Sequence, residues 1–180
     1  MGAMPLLITG ATGFVGRHLT KRRLAQGAPV RILVRSPDKA RNLAALGAEI
    51  AQGDVTDPAS LHKALDGVSA VIHLAGAADV ADAAVNEAVN VGGARNLAEA
   101  CKRAGVRRVL HFSSHCAGRK LRDAYGETKR RGEEVLLASG LDVTVFRPTM
   151  IVGPGSKEWA TFVRVIRRLP VVPIVGTGKT

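Results

Sequence analysis

Residues Leu6-Leu7-Ile8-Thr9-Gly10-Ala11-Thr12-Gly13-Phe14-Val15-Gly16 decide the fold of this chain. A short apolar run leads into three glycines and an amphipathic run follows, which is the order strand, tight turn, helix. Gly10 permits a turn that a side chain would hinder, Gly13 lets a pyrophosphate approach the backbone, and Gly16 lets the helix pack on the strand. The helix N-terminus offers free N–H groups to phosphates. The spacing G-x-x-G-x-x-G between strand and helix therefore predicts nucleotide binding.

Length and composition fit one domain. The chain has 180 residues, of which 46% are hydrophobic and only 3% aromatic, so the core is built from Val, Leu, Ile and Ala. No apolar run reaches about 18 residues, and the apolar start runs directly into the glycine turn, so the sequence predicts neither a membrane span nor a signal peptide. Two cysteines, Cys101 and Cys116, make no disulfide framework, and a cytoplasmic location is expected. Residues 1–3 resemble a tag remnant before a native start at Met4.

The net charge of +11 is large, and it raises the question of an anionic partner. The basic residues occur in short groups on predicted solvent faces and element ends. No block of five like charges occurs, and no aromatic stacking surface accompanies them. The pattern favours a solvated basic surface over a nucleic-acid site.

Strands and helices alternate along the whole chain. After the first strand, the sequence predicts strands at residues 30–35, 48–52, 70–76, 109–113 and 143–146. Helices are predicted at residues 14–26, 37–46, 57–66, 82–104, 125–139 and 157–169. The strands are continuous apolar runs, which is typical of a parallel sheet covered on both faces. The predicted fold class is α/β, a Rossmann-type doubly wound parallel sheet of at least six strands with helices on both faces.

The strand ends are where such sheets bind ligands, and two of them carry charge. The second strand ends in Arg35, where an enzyme that prefers NAD would place a carboxylate, so the sequence predicts NADP. Arg31 and Lys39 are weaker candidates for the same role. The third strand ends at Asp54, which could accept from an adenine amino group or cap the following turn.

A second group of polar residues follows the fifth strand. Ser114 stands at its end, and Tyr125 and Lys129 share one face of the next helix, because residues four apart are neighbours on a helix. The nearby ammonium is expected to lower the pKa of the phenol. A phenol tuned in this way can exchange a proton with a substrate hydroxyl or carbonyl, which Ser114 could also hold.

These motifs resemble the extended short-chain dehydrogenase/reductase family, in its NAD(P)-dependent epimerase/dehydratase branch. They cover nearly the whole chain in the order typical of the family. The matching segments are Thr9 to Gly16, Gly53-Asp54-Val55, His73-Leu74-Ala75-Gly76, Asn90-Val91-Gly92-Gly93-Ala94-Arg95-Asn96-Leu97, Phe112-Ser113-Ser114, Tyr125-x-x-x-Lys129, and Arg147-Pro148-Thr149 through Gly153-Pro154-Gly155.

The resemblance implies an NADP-dependent oxidoreductase or epimerase/dehydratase that acts on a hydroxyl or carbonyl carbon of a small molecule. It implies Ser114, Tyr125 and Lys129 as the catalytic residues, and a homodimer through two helices, with Ala83, Ala84, Ala88 and Val91 on the first. No metal is expected, because His111, His115 and Cys116 lack a ligand pattern. The expected cofactor-binding residues are Gly10, Thr12, Gly13, Phe14, Val15, Gly16, Arg35, Asp54, Val55, Leu74, Ala75, Gly76, Asn90, Tyr125, Lys129, Pro148 and Thr149.

Two departures from the family pattern matter, and the second of them favours an alternative function. The loop from His115 to Ala124 is short and basic, with Ala117-Gly118 where relatives usually keep a tyrosine-glycine pair. Relatives typically continue past the position of Thr180 into a substrate domain, so we expect either a fragment or a minimal form. The alternative function is a non-catalytic NAD(P)-binding module, such as a redox sensor or an assembly subunit.

Overall fold

The structure, a computed structural model, describes residues 3–78 and 82–169. Most of the predicted tag remnant and the predicted continuation at residues 170–180 lie outside the described residues. The chain divides into two compact units, Met1–Thr149 and Met150–Thr180. The first contains the sheet and the candidate site, and the described part of the second contains helix α7 (Lys157–Ile166).

Six strands of the first unit form one parallel sheet, in the order β3-β2-β1-β4-β5-β6. The order runs outward from β1 in both directions, so the carboxyl ends of β1 and β4 meet at the point where the strand order reverses. The predicted Rossmann-type sheet is confirmed. The strands are β1 (Leu6–Thr9), β2 (Val30–Val34), β3 (Glu49–Gln52), β4 (Ala70–His73), β5 (Arg108–Phe112) and β6 (Asp142–Phe146).

Three helices of the first unit begin at aspartate caps. Asp57, Asp82 and Asp123 each accept a backbone N–H of the first turn that follows. The predicted helix stops Gly27, Gly47, Gly67, Gly105 and Gly140 all have positive φ. The α-helices are α1 (Phe14–Ala25), α2 (Arg41–Ala44), α3 (Pro58–Ala64), α4 (Ala83–Asn86), α5 (Gly93–Ala104) and α6 (Ala124–Leu137), with 3-10 turns at Pro37–Ala40 and His115–Gly118.

The core lies on both faces of the sheet, as alternation along the strands requires. Leu7, Val71 and Val109 lie on the face covered by α3, α5 and α6, and all three are at most 1% exposed. Ile8 and Ile32 lie on the opposite face, which α1 and α2 cover. Burial on both faces explains the continuous apolar strands.

The elements predicted at residues 37–46 and 70–76 differ from the structure in a way that has a clear physical reason. The run at 37–46 is a 3-10 turn followed by a four-residue helix, and its N-cap Ser36 makes no side-chain capping bond. Strand β4 ends at His73 rather than at residue 76, because the Ala75 N–H donates to Thr9 Oγ1 and the Ala77 N–H donates to Asn90 Oδ1. The chain after His73 thus leaves the ladder and lines the carboxyl edge of the sheet.

The long helix predicted at 82–104 is interrupted. Between α4 and α5 the segment Glu87–Gly92 is a π-helix, a form frequent at functional sites. On this element Ala83, Ala84 and Ala88 are exposed, whereas Val91 is 2% exposed and packs inward. The prediction of Val91 on an exposed interface was therefore wrong.

Within residues 3–78 and 82–169, no helix combines the length and the apolar character needed to cross a bilayer.

Candidate active site

The glycine turn after β1 has the shape that a phosphate cradle needs. Gly10 has φ 68°, and a Cβ there would lie 2.7 Å from Ala75 N. A Cβ on Gly16 would lie 2.2 Å from Gly10 O, so the helix packs directly on the turn. Gly13 is the N-cap of α1 and has no side chain to bond the first-turn N–H groups. No acidic residue stands in that first turn, so the amides are available to an anion.

The turn opens into a cleft of about 410 Å³ at the carboxyl edge of the sheet. Nine of the predicted cofactor-binding residues line it: Gly10, Thr12, Gly13, Arg35, Asp54, Val55, Leu74, Ala75 and Gly76. Thr9 and Gly53 belong to the matching segments named above and also line the cleft. The other lining residues had not been singled out from the sequence, and they are Leu33, Val34, Ala77, Ala78, Val85 and Val89. Of the other predicted cofactor-binding residues, Phe14, Val15, Gly16, Asn90, Tyr125, Lys129, Pro148 and Thr149 lie outside this lining.

Arg35 and Asp54 face each other at one end of the cleft. The Arg35 side chain is 82% exposed, and its Nε lies 3.9 Å from Asp54 Oδ2. Asp54 Oδ1 accepts from both the backbone N–H and the hydroxyl of Thr56, at 2.9 Å each, so this carboxylate caps its own turn. The Arg31 guanidinium is already bound within the protein, because it donates to Ala64 O and forms an ion pair with Glu49.

The π-helix places Asn90 beneath the cleft. Asn90 is 3% exposed, and its amide both accepts from Ala77 N at 3.0 Å and donates to Ala77 O at 2.9 Å. Its Nδ2 also donates to Thr128 Oγ1 at 3.1 Å. Asn90 therefore orders the loop after β4 rather than lining the cleft itself. The sequence carried no signal for this geometry, since an i→i+5 step leaves no periodic trace.

Ser114, Tyr125 and Lys129 come together beside the cleft. Ser114 follows β5, and its Oγ accepts from Cys116 N at 3.2 Å. Its hydroxyl also acts on the Tyr125 side chain and lowers the pKa of the phenol. Lys129 Nζ donates to Phe112 O at 2.8 Å. A Cβ on Gly76, which lines the cleft, would lie 3.6 Å from the same Nζ, so the lysine reaches the cleft wall.

Burial sets the proton affinities of this group. Burial raises the pKa of Tyr125, and the hydrogen bond from Ser114 only partly opposes it. Lys129 is 4% exposed, and burial lowers its pKa to about 8 although the Glu133 carboxylate opposes the shift. The expectation of a lowered phenol pKa was wrong, because desolvation outweighs any effect of the ammonium. The phenol thus keeps its proton at neutral pH.

Two histidines form a buried polar row below these residues. His73 and His111 pair across β4 and β5, and their rings stack with centroids 5.2 Å apart. Thr9 Oγ1 lies 2.7 Å from His73 Nδ1. Burial lowers the pKa of His73 to about 3 and that of His111 to about 2, so both rings are neutral. His111 is 1% exposed whereas His115 is exposed on the next turn, so the two do not form a site together.

The segment after β6 supports the Ser114 turn from the side. Pro148 O accepts from His115 N at 2.9 Å, and Thr149 is exposed. Arg147, which precedes them, bonds the buried Glu133 carboxylate of α6. This ion pair was not predictable from local sequence patterns, because its two residues are 14 positions apart.

The sequence model of the NAD(P)H-binding family matches residues 10–164. This range contains the glycine turn, all of the cleft lining except Thr9, and the Ser114, Tyr125 and Lys129 group. The chain belongs to this family. The sequence predicts that this NAD(P)H-binding protein belongs to the short-chain dehydrogenase/reductase and epimerase/dehydratase superfamily, and this prediction is confirmed.

Named relatives of this NAD(P)H-binding protein differ in activity. It is 35% identical over 168 residues to the ceramide reductase of Caulobacter vibrioides, covering 93% of this chain and 53% of that protein. It is 37% identical over 144 residues to the photosystem II assembly factor Ycf39 of Guillardia theta, covering 80% and 46%. The Bordetella bronchiseptica enzyme WbmG, solved with NAD and UDP, superposes with a TM-score of 0.80 at 30% identity, covering 92% and 60%. The chain spans about half the length of the curated relatives it matches.

Proposed function

We propose that this chain is the cofactor-binding part of an NADP-dependent oxidoreductase or epimerase/dehydratase that acts on a hydroxyl or carbonyl carbon. The observation that carries the proposal is the grouping of Ser114 and Tyr125 next to the buried Lys129, at the wall of a cleft that begins in a glycine cradle. A phenol placed in this way suits proton exchange with a substrate oxygen beside a bound dinucleotide.

Each residue has one task in the proposed reaction. The Ser114 hydroxyl holds the substrate oxygen. The Tyr125 phenol donates a proton to that oxygen when a carbonyl is reduced, and the phenolate takes the proton back when a hydroxyl is oxidised. Lys129 places a positive charge beside them, and its pKa of about 8 leaves it mainly protonated at neutral pH. The α1 N-terminus and the glycine turn hold the pyrophosphate. The bound nicotinamide would supply or accept the hydride.

The choice of NADP over NAD rests on Arg35. Its exposed guanidinium offers a charge-assisted bond to a ribose 2′-phosphate, whereas an NAD enzyme offers a carboxylate there. Asp54 Oδ2 stands 3.9 Å from Arg35 Nε, far enough to leave the guanidinium available.

Arg35→Asp is expected to weaken NADP binding by about 10- to 100-fold and to leave NAD binding unchanged or improved, because one charge-assisted contact is replaced by repulsion. Fluorescence titration of both cofactors measures this. Arg41→Asp is the matched control, because that exposed arginine pairs with Asp38 away from the cleft lining. Equal affinities of the parent protein for NADP and NAD would contradict the proposal.

The substrate class follows from the same chemistry. A proton donor and a hydroxyl that hold one oxygen suit a small molecule with a hydroxyl or carbonyl group. The ceramide reductase and the UDP-bound WbmG support this breadth without choosing between a lipid and a sugar nucleotide. A homodimer through α4, α5 and α6 is part of the proposal, and the exposed Ala83, Ala84 and Ala88 remain available for it.

A second candidate is a non-catalytic NADP-binding assembly module. The similarity to the assembly factor Ycf39 favours it. NADPH oxidation across a panel of aldehydes and ketones separates the two candidates. Turnover that depends on Tyr125 supports the enzyme, whereas tight NADP binding without any turnover supports the module.

A further inference from the structure

A buried carboxylate on α6 is bound to an arginine that follows β6. Glu133 is 2% exposed, and its Oε1 accepts from Arg147 Nε at 3.0 Å while its Oε2 accepts from Arg147 Nη2 at 2.6 Å. The arginine side chain is 49% exposed, so only one partner of the pair is desolvated. This two-bonded geometry fixes the guanidinium plane against the helix.

The backbone on either side of Arg147 holds the backbone on either side of Ser114. Ser113 N donates to Phe146 O at 2.7 Å, and His115 N donates to Pro148 O at 2.9 Å. Arg147 and Ser114 are therefore held side by side on adjacent chain segments. The position of Ser114 depends directly on where the segment 146–148 lies.

The other end of the ion pair lies on the helix that carries the remaining site residues. Glu133 follows Lys129 by one helical turn and Tyr125 by two, which places all three on one side of α6. Lys129 Nζ makes a second connection to the β5 backbone through Phe112 O. The helix and the Ser114 segment are thus joined at two points.

We infer that the Glu133–Arg147 ion pair is a cross-tie that positions the Ser114 hydroxyl against the Tyr125 phenol. Both are positioning residues, since neither lines the cleft. The inference rests on the proposed function for its catalytic meaning, but the contact it controls exists in the protein without substrate.

The test uses the only tyrosine of the chain as a probe. Ultraviolet absorbance of the phenolate, followed against pH, reports the pKa of Tyr125 without any substrate. The Ser114→Ala variant removes the hydrogen bond that lowers this pKa, so its upward shift is the reference. Arg147→Lys keeps the charge but cannot make the two-bonded contact, and it should raise the pKa of Tyr125 by most of the reference shift.

The direction of the shift separates positioning from direct electrostatics. Besides Ser114, the groups acting on the phenol are Cys116 and Asp123, which raise its pKa, and Lys129 lies on the same helix face. Removing a negative charge with Glu133→Gln would by itself lower the pKa of Tyr125, whereas loss of the Ser114 contact raises it. We expect the rise. Glu134→Gln is the matched control, because it removes the adjacent carboxylate from an exposed pair with Arg130.

Three results would overturn the inference. They are an unchanged pKa in Arg147→Lys, no shift in Ser114→Ala, and equal shifts in Glu133→Gln and Glu134→Gln. The double variant Ser114→Ala with Arg147→Lys should show no rise beyond that of Ser114→Ala alone. Circular dichroism and NADP binding show whether each variant is folded. If Glu133→Gln does not fold, Arg147→Lys alone tests the inference. Failure to find turnover would count against the proposed function and leave this titration standing.

Discussion

Tyr125→Phe is expected to lower the rate of NADPH oxidation with a carbonyl substrate by about 10²- to 10⁴-fold, the usual scale for a general acid or base. NADP affinity should hardly change, because the ring remains and only the hydroxyl is lost. Burial raises the pKa of this phenol, so it carries a transferable proton at neutral pH. The chain has no other tyrosine to replace it. The measurement is initial rates on the complete protein with the best substrate of the aldehyde and ketone panel.

Lys129 variants are the companion controls for this experiment. Lys129→Met should lower turnover as well, because it removes the charge beside the phenol and the bond to Phe112 O. Lys129→Arg should not restore it, because a planar guanidinium does not fit a site that encloses all but 4% of the lysine. Full activity of Tyr125→Phe would remove the phenol from the mechanism.

Gly13→Val is expected to weaken NADP binding by about 100-fold or more, the value of at least two charge-assisted hydrogen bonds. A branched side chain at this N-cap would stand where the pyrophosphate meets the first-turn amides of α1. The fold should survive, because Gly13 has an ordinary φ of −71° and a Cβ there meets only Gly10 O, at 3.2 Å. Calorimetric titration gives the affinity, and thermal unfolding gives the stability.

Substitutions at two other glycines serve as controls for the Gly13→Val experiment. Gly16→Ala should unfold or strongly destabilise the protein, since its Cβ would lie 2.2 Å from Gly10 O. Gly92→Val introduces the same side chain as Gly13→Val, but it does so on the π-helix. The nearest atom to a Cβ at Gly92 would be Glu87 O, at 3.9 Å. Unchanged NADP affinity in a folded Gly13→Val variant would mean that the phosphates bind elsewhere.

The architecture was predictable because each strand and helix carries its own local signal. Continuous apolar strands, the glycine turn at Gly10, the cap at Asp57 and the stop at Gly105 depend only on neighbouring residues. The parallel sheet then follows from the alternation of elements. The length of β4 was not predictable, since it is set by the Thr9 hydroxyl, which diverts the Ala75 amide from the ladder.

The proximity of the three candidate catalytic residues was predictable, but their energetics were not. Spacing alone brought Tyr125 and Lys129 together, and the order of the elements brought Ser114 to them. The direction of the pKa shift of Tyr125 depends on how deeply the phenol is buried, which a sequence does not state. The Asn90 contact with Ala77 and the Glu133–Arg147 pair join segments that local patterns treat separately.

The stacked His73 and His111 make the centre of the sheet sensitive to acid. Both pKa values lie below the ordinary value of 6.5, at about 3 and about 2, so the unfolded chain binds more protons than the folded one between those values and pH 6.5. Stability is therefore complete above pH 6.5 and is lost as the pH falls below it, by up to about 1.4 kcal/mol per pH unit for each ring. At mildly acidic pH, β4 and β5 would thus lose stability, and these strands lead into the cleft wall and Ser114.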